Sequence, residues 1–141
     1  MGATLSIAAW AAWVDLRSRR IPNLAVLGAA IPTALVVVWS PSHAAGVLAA
    51  ALVAGGPLMA VHLISPTAMG FGDVKLAAVL GASLGLIDWR LGLVAICVAS
   101  GATAVVGLVV RRGVLPFAPG LWFGTVATII FVVTFGGTFL S

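Results

Sequence analysis

The chain has 141 residues, of which 62% are hydrophobic and 7% charged, and its mean hydropathy is +1.26. A soluble globular domain carries about 25% charged residues. The seven basic and three acidic side chains of this sequence are too few to cover a folded chain of this length in water. The composition excludes a soluble enzyme, a disordered tail and a fibrous repeat, and it predicts an integral membrane protein.

Charged residues divide the sequence into apolar stretches, and the polar turn Ser40-Pro41-Ser42-His43 divides the longest of them. A membrane-spanning helix needs about 20 apolar residues. We therefore expect a single all-α transmembrane domain over residues 1–141, a polytopic membrane protein with about six transmembrane helices. In chain order, the predicted helices cover residues 2–17, 23–39, 44–64, 73–87, 90–110 and 118–139.

Lysine and arginine are distributed unequally between alternate loops. Arg90 stands alone on one side. The other side holds Arg17, Arg19, Arg20, Lys75, Arg111 and Arg112. Because basic loops stay in the cytoplasm, this asymmetry predicts that the larger set is cytoplasmic and that both termini are non-cytoplasmic. The loops also account for the net charge of +4, so no nucleic-acid partner is expected.

The acidic residues are Asp15, Asp73 and Asp88, and the sequence has no glutamate. Asp15 and Asp73 are predicted at similar depth on the cytoplasmic side, where an ionisable residue is costly and marks a candidate functional site. Two close carboxylates cannot both ionise easily, so one can serve as general base and the other as general acid. Asp88 lies about 22 Å from Asp73 along a helix. It is expected at the opposite face, beside Arg90, as a cap of the fifth helix.

Simpler interpretations of the two aspartates remain open. Asp15 could pair with Arg19 at the i+4 position of a helix end, and Asp73 could be the N-cap of the fourth helix. Gly70 and Gly72 favour a functional interpretation, because they remove side chains next to Asp73 and would let a substrate backbone approach closely.

The segment Gly81-Ala82-Ser83-Leu84-Gly85 fits the G-x-S-x-G pattern of serine hydrolases. That pattern requires a strand–turn–helix elbow, whereas this segment lies inside a predicted apolar helix. No sequence signal brings His62 to Ser83. Small residues at this spacing let membrane helices pack closely, and this is the interpretation that we favour.

Three segments of the sequence together resemble a known family. Residues 15–23 read D-x-R-x-x-x-I-P-N, residues 69–76 read M-G-F-G-D-V-K-L, and residues 116–119 read P-F-A-P. In order, spacing and predicted topology they are similar to the type IV prepilin peptidases, bacterial members of the GxGD membrane aspartyl proteases. The resemblance covers essentially the whole chain.

The resemblance implies that Asp15 and Asp73 are the catalytic pair, and that Gly70, Gly72 and Lys75 contact the substrate. The substrate would be a prepilin or pseudopilin, cleaved after a glycine that separates its short basic leader from its membrane segment. The enzyme would be a multi-pass protein in the lipid of the bacterial cytoplasmic membrane. No metal or other cofactor is expected, because an aspartyl pair activates water without one.

Longer members of this family carry an N-terminal region that is associated with methylation of the new pilin N-terminus. Nothing in this sequence corresponds to that region, so we expect a short form with peptidase activity and without N-methyltransferase activity. Two non-enzymatic functions are alternatives. The protein could be a channel or transporter subunit that uses the aspartates for ions or protons, or a scaffold for pilus assembly.

Overall fold

The computed structural model describes residues 2, 5–10, 13, 23–66, 70–110 and 118–135, without the side chains of residues 106–110 and 118. Throughout these ranges, every regular element is helical, which confirms the all-α fold class. Residues 5–10 belong to the first helix, α1. The later helices are α2 (Asn23–Trp39), α3 (Ala44–Ile64), α4 (Phe71–Leu84), α5 (Arg90–Val110) and α6 (Ala118–Phe135), and a short 3-10 helix, Pro41–His43, joins α2 to α3.

The predicted boundaries of α2, α3 and α5 are confirmed at both ends, and α6 begins at the predicted residue. The prediction for α4, residues 73–87, is wrong at both ends. The helix begins at Phe71, after Gly70 in extended conformation (φ −69°, ψ 138°), and it ends at Leu84, before Gly85. The prediction placed these ends by the charges, whereas the backbone places them at glycines. Much of the predicted first helix, including residues 14–17, lies outside the described residues.

Helix α4 lies at the centre of the bundle, where it contacts α2, α3, α5 and α6. Its apolar side chains contribute more of the buried core than those of any other described helix. The core cluster consists of Ala8, Leu58, Val74, Leu76, Ala77, Leu80, Ile96, Ala99 and Leu121. Because α4 is packed on several sides, the residues of its first turn occupy a fixed place in the structure.

Helix α1 packs beside α2 and α6. The indole Nε1 of Trp122 in α6 donates a hydrogen bond of 3.1 Å to the backbone oxygen of Leu5. On the other side, the Ile7 side chain lies 3.7 Å from the position that a Cβ atom would take on Gly28 of α2. These contacts fix the described part of α1 within the bundle.

Helices α3 and α4 approach each other so closely that only glycine fits at several contacts. A Cβ atom on Gly81 would lie 2.5 Å from the Ala54 Cβ, and one on Gly85 would lie 2.5 Å from the Gly46 backbone oxygen. Contacts this short leave no room for a methyl group. The packing interpretation of the G-x-S-x-G segment is therefore confirmed.

Ser83, in the middle of that segment, is only 2% exposed. Its Oγ donates a hydrogen bond of 2.7 Å to the Leu80 backbone oxygen, within the continuous helix α4. A hydroxyl group in this position is directed back to its own helix and is closed to a substrate. The serine-hydrolase interpretation is wrong, because the segment forms no strand–turn–helix elbow.

Among the described residues, one helical stretch, Pro41–Ile64, is long and apolar enough to cross a membrane. The stretches Asn23–Trp39, Arg90–Val105 and Pro119–Phe135 are apolar and shorter. Large apolar side chains of these helices are exposed, among them Leu24 at 80%, Ile64 at 85% and Val133 at 80%. The described bundle thus presents an apolar surface outward.

Candidate active site

Asp73 lies in the first turn of α4, where Gly70 is the N-cap residue. The Asp73 backbone N–H donates a hydrogen bond of 3.1 Å to the Gly70 oxygen. The interpretation of Asp73 as the N-cap is wrong, because an N-cap at Asp73 requires a helix that starts at Val74, and α4 begins three residues earlier, at Phe71. A carboxylate in the first turn is stabilised by the partial positive charge of the helix N-terminus.

The two oxygen atoms of the Asp73 carboxylate have different surroundings. Oδ1 is buried. Oδ2 lies 3.3 Å from the position that a Cβ atom would take on Gly70, which is exposed. Gly72, in the same turn of α4, is half-buried. One face of the carboxylate therefore lies against the protein interior, and the other lies beside an exposed backbone segment without a side chain.

Lys75 joins α4 to the start of α2. Its Nζ donates a hydrogen bond of 3.2 Å to Oδ1 of Asn23, the first residue of α2. Asn23 ends the segment that begins with Asp15, and Lys75 lies two residues after Asp73. The hydrogen bond therefore brings together two of the motif segments identified in the sequence, across 52 residues of chain.

The aromatic ring of Phe71 contacts both Lys75 and His62. The Lys75 Nζ lies 4.6 Å from the centre of the Phe71 ring, a cation–π contact. The His62 and Phe71 ring centres are 5.4 Å apart and tilted by 34°. Asn23, Lys75, Phe71 and His62 thus form a four-residue row that connects α2, the first turns of α4 and the last turn of α3.

No role at this site was predicted from the sequence for Asn23, Phe71 or His62. Phe71 and Lys75 have the i, i+4 spacing of a helical pair, but Phe71 lies before the predicted start of α4, so the predicted helix could not show their contact. The contact between Asn23 and Lys75 has no local signal, because it depends on how α2 packs against α4.

Asp15 lies outside the described residues, so its pairing with Asp73 stays a prediction. The segment at residues 116–119 is described only from Ala118, where α6 begins with Pro119 in its first turn. Proline is well accommodated there, because the first N–H groups of a helix have no partner within it.

Asp88 lies beyond the opposite end of α4 from Asp73, and its Oδ1 accepts a hydrogen bond of 2.7 Å from the backbone N–H of Arg90. Since α5 begins at Arg90, the prediction that Asp88 caps the fifth helix is confirmed. The Arg90 guanidinium lies 5.7 Å from the centre of the Trp89 ring. Asp88 is therefore separated from the candidate site by the length of α4.

Within the part of the chain that the structure describes, no three His, Cys, Asp or Glu side chains come together in the way that metal ligands do. The polar groups at the start of α4 are a carboxylate, an ammonium group, an amide and an imidazole.

Asp73, preceded by Gly70 and Gly72, thus lies in the first turn of the central helix of the described bundle. A family model of the type IV leader peptidases matches residues 3–108. The chain belongs to the type IV leader peptidase family, as the resemblance predicted. No curated protein and no solved structure matches the chain significantly.

Proposed function

We propose that this protein is an aspartic endopeptidase of the bacterial cytoplasmic membrane that removes the short basic leader from a type IV prepilin or pseudopilin. Cleavage follows a glycine at the cytoplasmic face. Membership of a peptidase family supports hydrolysis of a peptide bond. The observation that carries the proposal is the hydrogen bond from Lys75 to Asn23, because it joins the segment that begins with Asp15 to the turn that contains Asp73.

In the proposed reaction, one carboxylate of the Asp15–Asp73 pair is ionised and the other is protonated. The ionised group takes a proton from water, and the water oxygen attacks the carbonyl carbon of the scissile bond. The protonated group donates its proton, and the C–N bond breaks as the leaving nitrogen becomes an amine. Asp73 suits this role because one of its oxygens is buried and the other lies beside exposed Gly70.

The contacts of the described residues on either side of Asp15 in the sequence also support the pair. In the sequence, Asp15 lies between the described part of α1 and the start of α2, and both of these are held in the bundle. Trp122 and Gly28 contact α1, and Lys75 holds the first residue of α2. The described residues on either side of Asp15 in the sequence are therefore held in the bundle.

The membrane location rests on the apolar surface. Only 22% of the most apolar window of Pro41–Ile64 is buried, whereas the core helix of a soluble protein is mostly buried. Exposed apolar side chains on several helices fit contact with lipid. Helix α4 has 14 residues. It spans about 21 Å, less than the roughly 30 Å of a bilayer core, so water can reach Asp73 at its cytoplasmic end.

The basic-loop asymmetry supports a cytoplasmic position for the site, since Lys75 belongs to the larger basic set. A substrate with a basic leader in the cytoplasm and an apolar segment in the membrane would cross this level as an extended strand. Gly70 and Gly72 would allow its backbone to approach Asp73, as the sequence predicts.

The proposal is tested by incubating the purified protein in liposomes with a prepilin-type substrate that has a short basic leader ending in glycine. We expect a shortened product whose new N-terminus, determined by mass spectrometry, follows that glycine. A companion substrate with alanine in place of the glycine tests the cleavage position. Full conversion of the alanine substrate, or cleavage elsewhere in the leader, contradicts the proposed specificity.

A further inference from the structure

The Lys75 ammonium group has contacts within the protein on two sides. Its Nζ donates to Asn23 Oδ1 at 3.2 Å and lies 4.6 Å from the centre of the Phe71 ring. The Lys75 side chain is half-buried, and Phe71 is in turn in contact with His62. Such contacts restrict a long flexible side chain, so that the hydrogen bond to Asn23 costs less conformational entropy than it would in an exposed lysine.

We propose that Lys75 and Asn23 are positioning residues of the peptidase, and that the hydrogen bond between them holds Asn23, the end of the segment that begins with Asp15, against the start of α4. This inference rests on the proposed function. Asn23 is eight residues after Asp15 and is the first residue of α2, so the bond fixes the point at which that segment joins α2.

Helix geometry separates the role of Lys75 from that of Asp73. Residues two positions apart on an α-helix differ by about 200° around the axis. Lys75 therefore leaves α4 on a different side from Asp73, toward α2, while the Asp73 carboxylate lies beside Gly70. From that side, the Lys75 side chain can affect the reaction by positioning the start of α2, without contact with the substrate.

The resemblance to the prepilin peptidases implies a different role for Lys75, which is direct contact with the substrate. The two roles predict different kinetics. If Lys75 contacts the substrate, replacing Lys75 raises KM, whereas a substitution at Asn23 leaves KM unchanged. Loss of a positioning bond lowers kcat whichever partner is removed, because catalysis depends on the distance between the reacting groups.

The test is a double-mutant cycle on the full chain in liposomes, with Asn23→Leu, Lys75→Met and the double variant, each measured for kcat and KM on a prepilin-type substrate. We expect each single variant to lose about 10- to 100-fold in kcat. Since both substitutions break one bond, the double variant should lose no more than about threefold beyond either single variant. KM should stay within about twofold of the native value throughout.

Asn23→Asp is the conservative variant, because a carboxylate oxygen can still accept the hydrogen bond from Lys75. It should retain kcat within about threefold of the native protein. Arg90→Met is the matched control for loss of a cation, since the Arg90 guanidinium also lies against an aromatic ring but at the far end of α4. It should leave kcat and KM unchanged.

A multiplicative loss in the double variant overturns the positioning role, as does a rise in KM confined to Lys75→Met or full activity in Asn23→Leu. If Asn23→Leu fails to fold by circular dichroism, Asn23→Asp decides, because a folded Asn23→Asp with lost activity also contradicts the role. The proposed function has its own test, which is independent of the double-mutant cycle. Full cleavage by Asp73→Asn would contradict the proposed function, whatever the result of the double-mutant cycle.

Discussion

The Gly70 backbone lies so close to the Asp73 carboxylate that a Cβ atom on Gly70 would be 3.3 Å from Oδ2. The extended conformation of Gly70 (φ −69°, ψ 138°) is available to any residue, so the backbone does not require glycine there. The constraint comes from the space beside the carboxylate, where a Cβ atom would make Oδ2 move by a few tenths of an ångström. Gly70 is exposed, and this space is where the proposed substrate would approach Asp73.

We expect Gly70→Ala to lower kcat/KM by about 10-fold or more, because the added methyl group displaces the carboxylate or the substrate by a fraction of an ångström. The folded state should be retained, since the substitution replaces an N-cap glycine in a permitted conformation at a cost of about 1 kcal/mol or less. Cleavage rates and thermal unfolding in detergent measure the two effects. Gly101→Ala is the control, because nothing lies within 4 Å of a Cβ atom at Gly101. Equal activity in both variants would contradict the role of Gly70.

Gly81→Ala tests the close packing of α3 and α4. The new Cβ atom would lie 2.5 Å from the Ala54 Cβ and 2.6 Å from the Ala50 backbone oxygen, so the helices would have to separate. Overpacking of this kind costs about 1–3 kcal/mol. We expect a lower midpoint of thermal unfolding in detergent than for Gly101→Ala. A midpoint equal to that of the control would show that the two helices are not packed as described.

Ser83→Ala separates peptidase chemistry based on aspartate from hydrolysis based on serine. The Ser83 hydroxyl is buried and donates to the Leu80 oxygen within α4, so its removal takes nothing from the proposed reaction. We expect cleavage within about twofold of the native rate, because no group that acts in the transition state is lost. An inactive but folded Ser83→Ala protein would restore the serine-hydrolase interpretation.

Much of the helical framework could be predicted from the sequence, because the apolar stretches are bounded by charges and by proline. The bounds of α2, α3 and α5 follow from that pattern alone. The ends of α4 do not, because the helix begins after Gly70 and ends before Gly85, at positions that carry no charge. A pattern based on charges predicts that the helix starts at Asp73, whereas α4 begins at Phe71.

The candidate site could be predicted only in part from the sequence. Asp73, Gly70 and Gly72 are close together in the sequence, so they are close in space whatever the fold. The hydrogen bond from Lys75 to Asn23 joins residues 52 positions apart, and it exists only because α2 packs on α4. Tertiary packing of this kind leaves no periodic signal in the sequence. The place of Asp15 beside Asp73 stays a prediction.

The central claim is that Asp15 and Asp73 act together as the catalytic pair. The most direct measurement compares cleavage of a prepilin-type substrate by Asp15→Asn, Asp73→Asn and Asp88→Asn proteins reconstituted at equal folded amounts. Asparagine keeps the size of the side chain and can still cap α5 at position 88, so the three variants differ in where a carboxylate is lost. We predict a loss of about 10²- to 10⁴-fold or more for the first two variants, because each removes a proton-transfer group. Asp88→Asn should keep the native rate. Full cleavage by either Asp15→Asn or Asp73→Asn would contradict the account.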